Sequence, residues 1–409
     1  MNYPDSVQFL YSLGNEVQTA KFGLERIRRL LDALGNPERA GRFVHVAGTN
    51  GKGSTSAMIE AGLRAAGVQT GLYTSPHLVE PTERIRIAGE PVTHEQFAAA
   101  FTTMHDTAER MLREGQLDLH PTYFESVTAM AFLLFRECPV EVTVLEVGMG
   151  GRLDATNVVT PELCVITPID LDHQMFLGDT LSSIAAEKAG ILKPRVPAVF
   201  ATQHPEAEAV LIALASGPYT LASQSPVLNL RLDALGSRFQ LGEAAIVCPL
   251  AGAHQVENAR TAAIALRQLG CAPDGIARTR WPGRLERIRE RPDIILDGAH
   301  NPAGARALAA YIRQFYAGRK IWLVFGVMRD KAVAEIGEIL FPLAHRIILT
   351  SPANSRALPA SEIPAPLHAT RTQTVSEAVA LLATAPEDAA ILITGSLFVV
   401  GQVSNLRAD

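Results

Sequence analysis

The sequence lacks most of the features that mark secreted, nucleic-acid-binding or membrane proteins. Four of its 409 residues are cysteines, and their unpaired spacing argues against a zinc site or a disulfide framework. No basic tract suggests nucleic acid, and the net charge of −5 argues against a membrane surface. The longest strongly apolar run, residues 127–135, is far shorter than the ~20 residues of a spanning helix. With no signal peptide visible, we expect a reduced, cytoplasmic protein.

The chain is long enough for two or three domains, each with its own core. Near-continuous apolar runs over 140–147 and 163–169 are typical of strands in a buried parallel sheet, and helical patterns separate them. Adjacent Pro282 and Gly283 break this pattern, so we predict domains over 1–282 and 283–409. Strands and helices alternate again beyond the break, which predicts a second, smaller parallel α/β domain.

The clearest motif is a glycine-rich segment over residues 43–56, which reads FVHVAGTNGKGSTS. A short apolar strand leads into three glycines, and the pattern predicts a helix that begins at Ser54. Glycines let successive N–H groups point inward around an anion, and a helix N-terminus adds partial positive charge. Lys52 can reach the outer phosphates of a nucleotide, and the hydroxyl of Ser54 or Thr55 can help to organise Mg²⁺. We therefore predict a phosphate-binding loop, with a tight glycine turn as the alternative.

Polar side chains also follow other predicted strands. They occur at Ser75, at Glu146, over 170–173 and over 297–301. One carboxylate at a strand end is usually a cap or a surface ion pair. With the glycine-rich segment, however, five strand ends carry polar groups, which is hard to attribute to coincidence. Glu146 ends an otherwise apolar strand, and a buried carboxylate is costly unless it is paired or binds a metal. Because ligands of α/β sheets lie at the carboxyl ends of strands, these residues are candidates for ligand binding.

The glycine segment departs from the usual phosphate loop, because Val46 replaces the first glycine and Gly53 follows the lysine. In this form G-T-N-G-K-G-S resembles the ATP loop of the Mur ligases, and in particular of folylpolyglutamate synthases and dihydrofolate synthases. The resemblance implies a P-loop-containing, Mur-ligase-like α/β domain with a mostly parallel sheet, and a smaller Rossmann-like α/β domain. It implies that five loop residues bind ATP: Asn50, Gly51, Lys52, Gly53 and Ser54.

The same resemblance implies metal and catalytic residues. Ser75, Glu146 and His173 match the magnesium ligands of the folate ligases, and two Mg²⁺ ions are expected. Lys188 lies in an E-K-A-G-I setting, where the Mur-type ligases carry a lysine carbamate that helps to hold the second ion. Lys52, Lys188 and His173 are therefore the expected catalytic residues. From the residues alone, His173 could be a hydrogen-bonded structural group and Lys188 a solvated lysine.

Two further sets of residues match binding segments of this family. The first set is expected to bind the nucleotide and comprises Asn258, Arg284, Asp297 and His300. For Asn258 the alternative is an amide on a helix surface. For the D-G-A-H-N segment, which contains Asp297 and His300, the alternative is a simple turn. The second set is expected to line a pterin pocket and comprises Thr122, Phe124, Glu125, Arg152, Leu153 and Asp154. Phe124 offers a ring face for stacking, although a plain core position is the alternative.

The resemblance implies an ATP-dependent ligase that adds L-glutamate to dihydropteroate and to the γ-carboxylate of folates through an acyl phosphate. A folylpolyglutamate synthase alone, or another Mur-type amino-acid ligase, is the nearest alternative. A nucleotide switch that hydrolyses ATP and a non-catalytic folate or nucleotide binder are the alternatives from other classes. We expect a monomer whose partners are small molecules (dihydropteroate, folates and L-glutamate), with no nucleic acid and no membrane.

Overall fold

A computed structural model describes residues 1–14 and 23–406 of the chain. The chain folds into two units, and both are built from several segments. The first unit comprises Met1–His77, Pro81–Pro226 and Asn258–Arg278, and the second comprises Leu78–Glu80, Val227–Glu257 and Thr279–Asp409. The predicted boundary after residue 282 differs from this division, because it assigns 227–257 to the first domain. The domain boundary therefore remains a proposal.

The first unit contains an eight-stranded sheet. Its strands are β1 (Arg42–Ala47), β2 (Thr70–Tyr73), β3 (Ile85–Ile87), β4 (Glu90–Pro91), β5 (Val142–Glu146), β6 (Leu163–Ile166), β7 (Ala198–Phe200) and β8 (Tyr219–Leu221). They lie in the order β4-β3-β2-β5-β1-β6-β7-β8. The six strands from β2 to β8 in this order pair in parallel, whereas β3 and β4 are antiparallel additions at one edge. The predicted α/β fold with a mostly parallel sheet is therefore confirmed.

Helices connect and cover these strands. They are α1 (Tyr3–Ser12), α2 (Glu25–Ala33), α3 (Lys52–Ala65), α4 (His94–Arg113), α5 (Tyr123–Glu137), α6 (Gln174–Leu177), α7 (Leu181–Ala189), α8 (Pro205–Leu214) and α9 (Ala253–Gln268). Capping boxes begin α4, at Thr93 with Gln96, and α5, at Thr122 with Glu125. Nearly all of α5 is buried, and each large apolar side chain buried there contributes about 1.5–3 kcal/mol.

The second unit contains two sheets. The strands are β9 (Val227–Leu232), β10 (Ser237–Leu241), β11 (Ala244–Cys248), β12 (Glu286–Arg289), β13 (Asp293–Leu296), β14 (Ile321–Phe325), β15 (Arg346–Leu349), β16 (Thr370–Arg371) and β17 (Ala390–Thr394). The helices are α10 (Pro302–Phe315), α11 (Val333–Leu340), α12 (Val375–Leu381) and α13 (Leu397–Asn405). The three antiparallel strands lie in the order β11-β10-β9, and the others in the order β12-β13-β17-β14-β15-β16. Only β12 is antiparallel in the larger sheet, which confirms the predicted second α/β unit.

The strand order of the first unit places the predicted site. β2, β5, β1 and β6 are consecutive neighbours and run parallel, so their carboxyl ends meet at one edge of the sheet. In the sheet, β2 and β5 lie on one side of β1, whereas β6, which follows β5 in the chain, lies on the other side. Such a reversal of strand order opens a crevice in which α/β proteins bind ligands. None of the described helices combines the length and the apolar composition needed to cross a membrane.

Candidate active site

The glycine-rich loop joins the carboxyl end of β1 to the N-terminus of α3. The helix begins at Lys52, two residues before the predicted start at Ser54, and Gly51 precedes it with φ of +86°. The first N–H groups of a helix have no carbonyl partner within it, so this end of α3 suits an anion. A Cβ on Gly51 would collide with the side-chain amide of Asn258, which is buried. The structure thus brings Asn258 against the loop, and its nucleotide role stays a prediction.

Two lysines converge on one carbonyl group of this loop. Lys52 Nζ donates to the carbonyl oxygens of Gly48 and Thr49, each at 3.2 Å, and Lys188 Nζ donates to that of Gly48 at 2.7 Å. Lys188 is buried, which excludes the solvated position. Burial and, to a smaller extent, the positive charge of Lys52 lower the pKa of Lys188 to about 7. Nearby Asp154 and Asp172 oppose this shift only in part.

The ends of β2 and β5 bring Ser75 and Glu146 together. Glu146 is buried at the last position of β5, and its Oε2 accepts a hydrogen bond from the Ser75 N–H at 3.1 Å. This contact places a carboxylate and a hydroxyl-bearing residue at adjacent strand ends. Both supply oxygen atoms, which are the donors that Mg²⁺ prefers.

The loop after β6 is tied to the glycine-rich loop. The Thr49 hydroxyl donates to the Asp170 carbonyl at 3.0 Å and accepts from the Asp170 N–H at 3.1 Å. His173 has a left-handed backbone with φ of +53°, and its N–H donates to Asp172 Oδ1 at 2.9 Å. Its Nε2 lies 4.0 Å from the same oxygen. The backbone of His173 is therefore held beside Asp172, whose negative charge also raises the pKa of Lys188.

The predicted acceptor-binding residues at the start of α5 have visible structural roles. The hydroxyl of Thr122 accepts from the Glu125 N–H at 3.2 Å, and Glu125 Oε2 accepts from the Thr122 N–H at 2.8 Å. Glu125 is also paired with Arg26, whose Nε lies 2.7 Å from Oε2. Phe124 is half-buried, and a Cβ on Gly148 would meet its ring. The Phe124 ring thus packs directly on the loop that follows β5.

That loop is organised by the buried carboxylate of Asp154. Its Oδ2 accepts from the Met149 N–H at 2.9 Å, and its Oδ1 accepts from the Thr156 N–H at 3.0 Å and from the Thr156 hydroxyl. Burial raises the pKa of Asp154, although these hydrogen bonds oppose the increase. Arg152 is exposed and pairs with Glu187 at 2.8 Å, while Leu153 is half-buried. Asp154 therefore holds the loop conformation, and its predicted contact with a pterin stays a prediction.

In the second unit, the residues that follow β13 form a compact group. Both oxygens of the buried Asp297 accept backbone hydrogen bonds at 3.0 Å, one from Leu285 and one from Ala299. Burial raises the pKa of Asp297, and the charge of nearby Arg284 opposes that increase. His300 Nδ1 lies 2.8 Å from the carbonyl oxygen two residues earlier. The structure thus brings Arg284 and Asp297 together, and their nucleotide roles stay predictions.

Comparison of the sequence with known proteins decides the family. The model of the Mur ligase middle domain matches residues 46–266, and that of the Mur ligase glutamate ligase domain matches residues 283–397. The chain is 36% identical over 427 aligned positions to the folylpolyglutamate synthase of Lacticaseibacillus casei, covering 98% of both chains. It is 38% identical over 353 positions to the dihydrofolate synthase/folylpolyglutamate synthase of Bacillus subtilis, covering 81% of both. The chain belongs to the folylpolyglutamate synthase/dihydrofolate synthase family of Mur ligases.

A solved structure of this family has the same fold over the whole chain. The Mycobacterium tuberculosis folylpolyglutamate synthase, described as a complex with ADP and AMPPCP, superposes with a TM-score of 0.90 at 34% identity. The comparison covers 100% of this chain and 99% of that one. The fold and the family predicted from the sequence are therefore confirmed.

Some residues of the site in this family member were not predicted from the sequence. His45 is fully buried in the middle of β1, and its Nε2 lies 2.9 Å from the hydroxyl oxygen of Thr156, which in turn bonds Asp154. A histidine inside an apolar strand is a sequence signal for such a buried polar contact. Thr49, which links two loops, carried no comparable signal because its partner is a backbone group.

Proposed function

We propose that this chain is an ATP-dependent ligase that adds L-glutamate to dihydropteroate and to the γ-carboxylate of folates. The observation that carries the proposal is the convergence on the glycine-rich loop. Lys52 and Lys188 share a loop carbonyl, and Asn258 packs against Gly51. Ser75 and Glu146 meet at the neighbouring strand ends. The names of the relatives from L. casei and B. subtilis support the two activities.

In the proposed reaction, the acceptor carboxylate attacks the γ-phosphate of ATP and becomes an acyl phosphate, with release of ADP. The amine of L-glutamate then attacks the acyl carbon, forms the amide and displaces inorganic phosphate. Lys52 supplies positive charge beside the transferring phosphate, and the α3 N-terminus orients it. Phosphoryl transfer depends mainly on such positioning and charge neutralisation, so no covalent enzyme nucleophile is required.

Magnesium fits the residues at the sheet edge. The oxygen atoms of Ser75 and Glu146 suit Mg²⁺, and a buried carboxylate is stabilised by a cation. We propose that Ser75, Glu146, His173 and a modified Lys188 hold two ions, which would neutralise phosphate charge. The assignment of His173 as a magnesium ligand depends on the family resemblance, because Mg²⁺ prefers oxygen donors and His173 offers a nitrogen.

Lys188 is proposed to be carbamylated. Only the neutral amine reacts with CO₂, and a pKa of about 7 leaves much of Lys188 neutral at physiological pH. The amine nitrogen bonds to the carbon of CO₂ and loses one proton, which gives a carbamate anion. This change converts a buried amine into an oxygen donor beside Lys52. The buried position of Lys188 favours the reaction because it favours the neutral amine.

The remaining roles stay predictions within this proposal. The nucleotide roles of Arg284, Asp297 and His300 and the acceptor roles of the residues over 122–125 and 152–154 depend on the family resemblance. So do the monomeric state and the cytoplasmic location.

An ATP-hydrolysis assay separates this proposal from a nucleotide switch. ADP release is measured with Mg²⁺ alone, with an acceptor, and with both an acceptor and L-glutamate. A ligase releases ADP in quantity only when both co-substrates are present, with one amide formed for each ADP. A switch would instead release ADP at the same rate in all three mixtures, and that result would overturn the proposal.

A further inference from the structure

A group of three side chains in the first unit has the composition of a metal site and shares no residue with the proposed ATP site. Each of His105, Glu109 and His120 offers one ligand atom, and these three atoms lie within 4.8 Å of one another. Within the described part of the chain, this is the one group of three or more such side chains that close together. All three residues are half-buried.

The backbone brings the three side chains to one place. His105 and Glu109 lie four residues apart on α4, so they project from the same face of that helix. His120 lies in the connection between α4 and α5, close to the N-cap Thr122 of α5. The group therefore joins a long helix to the segment that enters the next helix.

Two ring nitrogens in this group have no partner among the described residues. His105 Nδ1 and His120 Nε2 are both shielded from solvent and make no hydrogen bond there. A buried polar atom without a partner costs about 1–3 kcal/mol, so its presence calls for an explanation. A metal ion provides one, because an unprotonated ring nitrogen can coordinate it through its lone pair.

The hydrogen bond of His120 fixes which nitrogen can bind an ion. Its Nδ1 lies 2.9 Å from the carbonyl oxygen of Pro121, and a carbonyl oxygen only accepts. Nδ1 therefore carries the proton, and the lone pair of Nε2 is directed into the group. Metal-binding histidines are commonly oriented in this way by a carbonyl on the other nitrogen.

The distance between the ligand atoms of His120 and Glu109 suits a bound ion better than a direct hydrogen bond. His120 Nε2 lies 3.9 Å from Glu109 Oε1, which is too long for a hydrogen bond. Two ligands that are each about 2.1 Å from one ion can be up to about 4.2 Å apart. Phe9 from α1 packs on both imidazoles, with ring centroids 4.5 Å from His105 and 5.3 Å from His120. The rings are therefore held in place by packing.

We propose that His105, Glu109 and His120 bind a divalent transition-metal ion of the zinc class. Two imidazole nitrogens and one carboxylate are donors that zinc accepts, whereas Mg²⁺ and Ca²⁺ favour all-oxygen sites. The bound ion ties the connection after α4 to the helix itself. It thereby stabilises the entry into α5, whose N-cap is Thr122 and whose first turn carries Phe124 and Glu125.

Zinc titration of the full chain tests the site without any measurement of catalysis. The protein is stripped with a chelator, the chelator is removed, and ZnCl₂ is titrated at pH 7.5 under reducing conditions without ATP or Mg²⁺. We expect one ion per chain, a higher melting temperature, and slower amide exchange over 114–122. Magnesium at the same concentration is expected to leave the amide exchange over 114–122 unchanged, because its proposed ligands lie at the other site.

Matched variants assign the binding to these side chains. Glu109→Gln keeps the size of a partly exposed side chain and removes its charge, and is expected to weaken zinc binding at least about tenfold. The double variant His105→Ala/His120→Ala is expected to lose the site, whereas His368→Ala, at an exposed histidine, is expected to keep it. Binding of unchanged affinity in both Glu109→Gln and the double variant would overturn the proposal. So would the absence of zinc binding in the unaltered chain. If the double variant does not fold, Glu109→Gln alone decides.

Discussion

Lys52 and Lys188 donate hydrogen bonds to the same atom, the carbonyl oxygen of Gly48, at 3.2 and 2.7 Å. Two ammonium groups this close repel each other, and burial adds to the cost of charge on Lys188. Both effects lower the pKa of Lys188, to about 7. One carbonyl oxygen thus accepts hydrogen bonds from two lysines, and the pKa of one of them, Lys188, is strongly lowered.

Replacing Lys52 by alanine is expected to abolish ligation and leave the fold intact. The ammonium lies on the phosphate loop, and its loss removes a charge that stabilises the transferring phosphate. We expect the rate of amide formation to fall at least about a hundredfold, with an unchanged circular dichroism spectrum. Near-normal turnover by the purified variant would show that the loop does not bind the reacting phosphate.

The carbamate on Lys188 is tested by mass and by rescue. Intact-mass measurement in bicarbonate buffer is expected to show an added CO₂ that is absent in Lys188→Ala. Activity lost in Lys188→Ala is expected to return in part when short carboxylates are added, because they can occupy the space of the carbamate. A fully active enzyme with a free amine at Lys188 in bicarbonate would exclude this modification.

Gly51→Ala is expected to cost more stability than Gly67→Ala. Both glycines have nearly the same left-handed backbone, with φ of +86° and +87°, so both substitutions add backbone strain of about 1 kcal/mol. Only at Gly51 would the new Cβ meet Asn258, because nothing lies within 4 Å at Gly67. We expect weaker ATP binding in Gly51→Ala alone, measured by calorimetry. Equal effects in the two variants would mean that the contact with Asn258 is unimportant.

His45 is expected to make the fold sensitive to acid. Burial, with a smaller contribution from Lys193, lowers the pKa of His45 from 6.5 to about 3. Between these values the unfolded chain binds the proton and the native state does not, so stability falls as the pH falls below 6.5. At pH 5 the loss is about 2 kcal/mol, from about 1.36 kcal/mol per pH unit. This loss should be absent in His45→Gln.

Urea unfolding at pH 7 and pH 5 measures this difference. The unaltered chain is expected to lose about 2 kcal/mol more free energy of unfolding than His45→Gln between the two pH values. His368→Gln, which removes an exposed histidine, serves as the control and should behave like the unaltered chain. Parallel losses in His45→Gln and the unaltered chain would contradict the account.

The sequence predicted features that depend on local pattern. Apolar runs over 140–147 and 163–169 identified two strands of the parallel sheet, β5 and β6. The glycine-rich motif identified the loop between β1 and α3, although the helix begins at Lys52 rather than at Ser54. A helix can begin at the lysine because Gly51 already adopts the left-handed backbone that precedes it.

Features that depend on contacts between distant segments were not predicted. The grouping of 227–257 with the second unit follows from packing, which strand patterns do not encode. Nor did the sequence indicate that Glu125 would pair with Arg26, 99 residues away. The proximity of His120 to His105 likewise depends on how the connection after α4 folds back. Such contacts require the three-dimensional structure.

Incorporation of labelled glutamate is the most direct test of the proposed function. Dihydropteroate and tetrahydrofolate are supplied in separate reactions with ATP, Mg²⁺ and labelled L-glutamate. We expect label in the product of each acceptor, with one ADP and one phosphate released for each glutamate added. Label in only one product would contradict the proposal of two activities, and ATP hydrolysis without label in either product would contradict the assignment as a ligase.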